Sequence, residues 1–239
     1  MSKPLAVVFS GAGLSADSGI KTFRASDGLW EEHRVEDVAS PAGWARDREL
    51  VLRFYAERFQ NYRHCRPHAG HAALARLEDA YDVWHVTQNI DGLLERAGCS
   101  DVTHLHGRLD VAKCERHAEI FGDDPRYRCD YKTPIDRPVA SADACPACGF
   151  GLRPDVVRFG EAVAMDAARI ERALAEAALF LTVGTSGKVY PAASFLDWFA
   201  ATPEKFIIDP DPLDRPGFGA IAGGAADELP RLVDRLRAR

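Results

Sequence analysis

The sequence contains no apolar run near the ~18 continuous residues that a membrane helix needs. It has no signal-peptide core either, since Leu5-Ala6-Val7-Val8-Phe9 gives way at once to Ser10 and Gly11. Positive charge is in deficit. The 30 Lys and Arg face 36 Asp and Glu, a formal net charge of −6, which argues against the broad basic face of a general nucleic-acid binder. Internal repeats and low-complexity tracts are also missing. These absences lead to the expectation of a cytoplasmic protein with no membrane partner and no direct nucleic-acid partner, in a compartment where stable disulfides are rare. They leave the oligomeric state open.

What is present is an ordinary globular composition. The chain has 239 residues, 46% hydrophobic and 28% charged, enough for one large domain or a main domain with a small insert. Short apolar runs at 5–9, 83–87, 102–105, 156–159, 179–183 and 206–208 read as buried parallel strands. Helical periodicity fills the intervals at 42–62, 70–81, 91–97, 166–178, 191–199 and 227–237. Strand alternating with helix predicts right-handed crossovers and a doubly wound, Rossmann-like α/β sheet.

Residues 113–150 break this rhythm, being rich in Asp, Pro, Arg and Cys without an apolar period. So long an irregular stretch needs something other than a core to hold it. Four of the six cysteines (Cys114, Cys129, Cys145 and Cys148) fall here, which in a reducing compartment suggests a metal site. The expected organisation is a nucleotide-binding domain from 1–112 and 151–239 with a zinc-binding module at 113–150. A helical part of the small domain is drawn from about 25–75.

Gly11-Ala12-Gly13-Leu14-Ser15-Ala16 follows the first strand and opens a helical pattern, fitting the G-x-G-x-x-G/A dinucleotide loop. A glycine-rich turn without a ligand is the alternative. The acidic residue that usually ends the second strand is missing, because 21–30 read as a loop. Nucleotide binding is expected, without ordinary dehydrogenase geometry.

Taken together, Gly11 to Ile20 followed by Thr22-Phe23-Arg24 resembles the signature of the sirtuin family of NAD-dependent protein-lysine deacylases. Further blocks follow in the family's order: Thr87-Gln88-Asn89-Ile90-Asp91-Gly92-Leu93, His104-Leu105-His106-Gly107, Leu152-Arg153-Pro154 through Phe159-Gly160-Glu161, and Val183-Gly184-Thr185-Ser186. The resemblance spans nearly the whole chain and is nearest to the short bacterial enzymes.

In sirtuins the acyl-lysine carbonyl oxygen captures the ribose C1′ as nicotinamide leaves, and the ribose 2′-hydroxyl then attacks. That attack needs a base working near neutral pH, which suits His. The resemblance makes His106 the base, with Asn89 and Asp91 completing the catalytic set. It places Ala12, Ile20 and Asp91 at nicotinamide, and Gln88 and Asn89 at the ribose. Gly11, Gly13, Ser15, Arg24, Ile90, Gly184, Thr185, Ser186, Asp209 and Ala225 complete the cofactor set, although Thr185 and Ser186 also read as a helix N-cap.

Tyr55 and Arg58 share one helix face at i, i+3. A Tyr-x-x-Arg pair at this place marks sirtuins that accept succinyl, malonyl or glutaryl groups. Val156, Phe159 and Gly160 are expected to meet the substrate, a protein or peptide bearing acyl-lysine, by strand addition. One structural zinc ion is expected on Cys114, Cys145, Cys148 and either Cys129 or His117, with Cys129 preferred. Three positions depart from the family pattern: Asp209 and His68 each stand where Asn is common, and Arg158 where Trp is usual. The rival activities are mono-ADP-ribosyl transfer, NAD hydrolysis and non-catalytic nucleotide sensing.

Overall fold

Apolar runs that are buried on both faces have to lie inside a layered sheet. In the computed structural model, which describes residues 3–21, 29–30, 33–122, 124–187 and 189–238, five of the six apolar runs do so, and the strand Gly219–Ala222 is added at one edge. The strand order is Gly219–Ala222, Glu204–Asp209, Ala177–Val183, Leu5–Ser10, Asp82–Thr87, Val102–His104, and every pairing is parallel. Ala6 and Val8 join Leu74, Leu77, Leu229 and Val233 of the helices Ala69–Leu77 and Ala225–Arg237 in one core cluster. The alternate residue Phe9 turns to the opposite face and stacks on Phe195 at 5.1 Å between ring centroids.

From Leu5–Ser10 the chain moves outward to Asp82–Thr87 and Val102–His104, then returns to build the other half from Ala177–Val183. The order reverses between Leu5–Ser10 and Ala177–Val183, and ligands of such sheets bind beyond the carboxyl ends of the strands at that point. Two loops cross there, with Gly11 N–H donating to Val183 O and Gly13 N–H to Gly184 O, both at 2.9 Å. Gly184 has φ +59°, and a Cβ on it would lie 2.3 Å from Leu14 N. A Gly184→Ala substitution is therefore expected to cost roughly 2–4 kcal/mol in urea unfolding, from overpacking plus backbone strain. A loss under about 1 kcal/mol would mean that this crossing yields.

The strands and helices above belong to one compact unit made of Met1–Thr22, Cys65–Leu105 and Met165–Arg239. The other unit, Phe23–His64 with His106–Ala164, takes in the early helices and both flanks of the 113–150 insert. It holds the helices Pro41–Arg46 and Arg48–His64 and a three-stranded antiparallel sheet ordered Lys132–Pro134, Gly107–Cys114, Leu152–Val156.

Several expectations change. The helix expected over 42–62 is broken at Asp47, whose side chain accepts from Leu50 N–H at 2.9 Å and so starts a second helix. No strand runs over 156–159. The strand is Leu152–Val156, antiparallel to Gly107–Cys114, and its Arg153 and Asp155 are buried in ion pairs, so its sequence does not look like a core strand. The expected helix at 191–199 becomes short turns: Ala192–Ser194, Phe195–Trp198 and Phe199–Ala201. The edge strand Gly219–Ala222 was not anticipated, since Gly-Ala-Ile-Ala carries little β-propensity.

Candidate nucleotide site and four-cysteine centre

The helix expected to follow the glycine loop is a single turn, Gly13–Ala16. Its Ser15 Oγ donates to Asp91 Oδ2 at 2.9 Å. Asn89 Nδ2 reaches both Gly11 O at 3.0 Å and Ser15 Oγ at 3.1 Å. Leu93 N–H donates to Asp91 Oδ1, so the carboxylate is held from two sides. Burial pushes the Asp91 carboxyl above its usual range, and the Leu93 and Ser15 hydrogen bonds oppose that shift. Gln88 Nε2 donates to Thr185 Oγ1 at 2.8 Å, joining the ends of two different strands. Gly11, Ala12, Gly13, Ser15, Gln88, Asn89, Ile90, Asp91, Gly184, Thr185 and Ser186 thus gather at the carboxyl ends of three adjacent strands.

Ile20 follows the turn, its N–H directed at Ser15 O. Asp209 ends the next strand; burial raises its carboxyl, which accepts from Asp211 N–H at 3.0 Å. Ala225 is the buried first residue of the last helix, where Asp17 Oδ2 accepts from Ala226 N–H at 3.3 Å. Arg24 lies outside the described residues. This set of amide, hydroxyl and carboxylate groups fits a nucleotide with its ribose and carboxamide.

Sequence reasoning passed over three supports of this site. Thr87 Oγ1 accepts from Ser10 Oγ and Asn89 N–H, fixing the strand end. His104 meets Asn89 O with Nδ1 at 2.8 Å and Glu95 with Nε2 at 2.9 Å, so both ring nitrogens face acceptors. His68 accepts from Gly70 N–H through Nδ1 and meets Leu14 O through Nε2 at 2.7 Å, which places the proton on Nε2. A residue that looked like a departure from the family pattern therefore caps a helix and ties it to the glycine turn. The capping position of His68, just before the helical run, was the available signal.

His106 opens the second unit directly after Leu105. Its carbonyl accepts from Val157 N–H at 2.9 Å. Gly107 follows with φ +75°, and a Cβ there would sit 2.0 Å from Asp155 O. Val156 is buried, Phe159 is 49% exposed, and Gly160 has open space around it.

Tyr55 and Arg58 are both buried on helix Arg48–His64. The Arg58 guanidinium lies 3.2 Å over the Phe54 ring and 5.6 Å from the Trp30 ring. Burial pushes the Tyr55 phenol up to about 12, and its hydroxyl has no hydrogen-bond partner among the described residues.

The insert brings Cys114, Cys129, Cys145 and Cys148 together, their sulfurs all within 4.8 Å of one another. Cys114 and Cys148 are 3.4 Å apart and Cys129 and Cys145 3.7 Å. A tetrahedron with Zn–S bonds near 2.3 Å has edges of about 3.8 Å, so four thiolates here suit zinc. His117 stands outside the group, with Nδ1 accepting from Glu119 N–H at 3.2 Å.

Glu161 closes the same unit by meeting two buried guanidiniums, Arg153 at 2.6 Å and Arg158 at 2.8 Å. Burial alone raises this carboxyl, but hydrogen bonds and charge from Arg153 and then Arg158 outweigh it and hold it at about 2. The folded value lies below the ordinary 4.5, so its stabilisation is complete above pH 4.5 and drains away as pH falls toward 2. A Glu161→Gln variant is expected to lose roughly 3–5 kcal/mol at pH 7, because it strands two buried cations. In denaturant titrations the gap from the parent protein is expected to narrow below pH 4.5; a pH-independent gap would assign the loss to packing.

These features define a class: a doubly wound nucleotide-binding protein carrying a four-cysteine metal module. The chain belongs to the Sir2 family, whose model matches residues 11–191. An NAD-dependent protein deacylase of Shewanella oneidensis is 43% identical over 244 residues, covering 97% of this chain and 94% of that protein. A Sir2 homologue solved in complex with NAD superposes with a TM-score of 0.82 at 34% identity, over 99% of this chain and 90% of its own. A Sir2 protein bound to acetylated peptide gives 0.77 at 25% identity, over 99% and 95%. No helix among the described residues is long and apolar enough to cross a membrane.

Proposed function

We propose that the protein moves acyl groups from protein lysine to the ADP-ribosyl part of NAD, acting in the cytoplasm on succinyl- and malonyl-lysine as well as acetyl-lysine. One water is consumed, and the products are the free lysine amine, nicotinamide and 2′-O-acyl-ADP-ribose. The chain is an NAD-dependent protein deacylase by family membership; its own residues support the finer assignment. NAD, when bound, supplies the ribose carbon and 2′-hydroxyl between which the acyl group is passed.

Asp91, fixed by Ser15 and Leu93, orients the nicotinamide carboxamide, and Asn89 and Gln88 serve the ribose. The loops at Gly11–Gly13 and Gly184–Ser186, Asp209 and the backbone at Ala225 hold the remaining nucleotide. Arg24 is assigned to the pyrophosphate or the pocket mouth. His106 takes the hydroxyl proton, an imidazole being the base suited to neutral pH. Val156, Phe159 and Gly160 align the acyl-lysine segment, and the four cysteines hold one zinc ion that braces the module.

One observation carries the acidic-acyl assignment: a buried phenol hydroxyl without a partner among the described residues stands one helical turn from a buried arginine. A carboxylate at the end of the acyl chain would accept from both groups, and charge-assisted hydrogen bonds of this kind are the strong ones. The test incubates the protein with NAD and matched succinyl-, malonyl- and acetyl-lysine peptides and follows peptide mass. All three are expected to lose their acyl groups. Arg58→Met is expected to lower kcat/KM for succinyl-lysine by about 30- to 100-fold, the equivalent of roughly 2–3 kcal/mol, and for acetyl-lysine by less than about threefold. Equal losses on both peptides would remove Arg58 from the acyl-reading role.

A further inference from the structure

The second unit contains a cavity of about 400 Å³ that the deacylase reading does not use. Its walls include Trp44, Phe121, Tyr127 and Phe150, together with Arg116 and Arg158. Phe121 and Phe150, 37% and 41% exposed, present apolar rings to it. Charge around the cavity is unbalanced. Glu115 on its rim is met by Arg48 at 3.6 Å, and Arg126 is held in a two-pronged pair by Asp124. Arg116 lies 3.4 Å over the Phe150 ring and has no carboxylate partner among the described residues.

Arg158 is the decisive group. Its side chain is 6% exposed, it packs 4.8 Å over Trp44, and its one carboxylate among the described residues, Glu161, is shared with Arg153. Both Glu161 oxygens are saturated, one by Arg153 Nη1 and Arg158 Nε, the other by Arg153 Nη2 and Arg158 N–H. Arg158 Nη1 is buried with no partner among the described residues. Two buried cations on one anion leave an excess positive charge beside an aromatic cavity, and an uncompensated buried charge is costly. The missing element is an anion with a flat apolar body.

We infer that this cavity is a binding site for an aromatic carboxylate, whose carboxylate pairs with Arg158 and Arg116 while its ring lies against Trp44, Tyr127 and Phe150. The volume suits a ligand of one or two rings, within the usual range for small-molecule sites. The inference does not depend on which acyl groups the enzyme removes.

The test is calorimetric titration of the full zinc-loaded chain, without NAD or peptide, using 2-naphthoate. Saturable binding of one naphthoate per chain is expected, with the neutral isostere 2-naphthamide at least tenfold weaker and acetate not saturating. Arg158→Met is expected to weaken naphthoate at least tenfold, and Arg58→Met to change it by less than about twofold. Loss of binding in Arg58→Met with retention in Arg158→Met would overturn the proposal and place the anion beside Tyr55. Equal affinity for naphthoate and naphthamide, or no binding at all, would overturn it too. Should circular dichroism show Arg158→Met misfolded, Arg116→Gln takes its place, with at least threefold weakening expected and no change counting against the site.

Discussion

Replacing His106 with alanine is expected to lower NAD-dependent deacylation by about a thousandfold, within the range that a positioned general base contributes, with no change in circular dichroism. His106 is held through its backbone, which accepts from Val157 N–H, and by the turn at Gly107, whose φ of +75° a side chain would strain. Both restraints act through the backbone, and circular dichroism of the alanine variant checks that the fold is retained without the ring. The neighbouring His104 is not a substitute, because both of its ring nitrogens already face acceptors, Asn89 O and Glu95. An alanine variant within tenfold of the parent in kcat/KM, measured by loss of acyl mass, would remove His106 from the role of base.

Loss of the metal is expected to have the largest effect on stability. The sulfurs of Cys114, Cys129, Cys145 and Cys148 close a stretch in which few side chains are apolar and buried, chiefly Ile120 and Val139. Val139 joins Leu52 and Ala112 in a small core cluster, with Trp44, Ile135 and Leu152 packed against it. So small a cluster cannot offset the ordering entropy of the insert, at about 1–2 kcal/mol per residue. A structural zinc ion supplies about 10–16 kcal/mol in small zinc domains, enough to change the balance.

Metal analysis of the purified protein is expected to give one zinc per chain. Cys145→Ser is expected to release the zinc, lower the melting temperature by about 10 °C or more and abolish deacylation. Protein isolated with four titratable thiols in this cluster, no metal and an unchanged melting curve would sink the zinc assignment.

The strands at 5–9, 83–87 and 179–183 were legible because strands buried on both faces are written as short, mainly apolar runs. Leu152–Val156 was misplaced for the opposite reason. Its Arg153 and Asp155 are buried as ion pairs, and charged letters on a buried strand cannot be told from an exposed loop without their partners. The break at Asp47 was missed because a capping aspartate inside a helical period looks like an exposed helical residue.

The glycine loop and the Asn89 and Asp91 block could be picked out because each is a short motif whose chemistry lies in adjacent residues, while His106 rests on the family resemblance. The sequence by itself therefore determined the parallel α/β architecture, the nucleotide loop and the presence of a cysteine-held insert, since local period and spacing carry that information. Only the tertiary structure decided that Gly13 and Gly184 share one crossing, that Cys129 and not His117 stands with Cys114, Cys145 and Cys148, and that Arg158 and Arg153 share Glu161. Those outcomes depend on distances and burial among side chains brought together by the fold, and neither quantity is set by the order of residues along the chain.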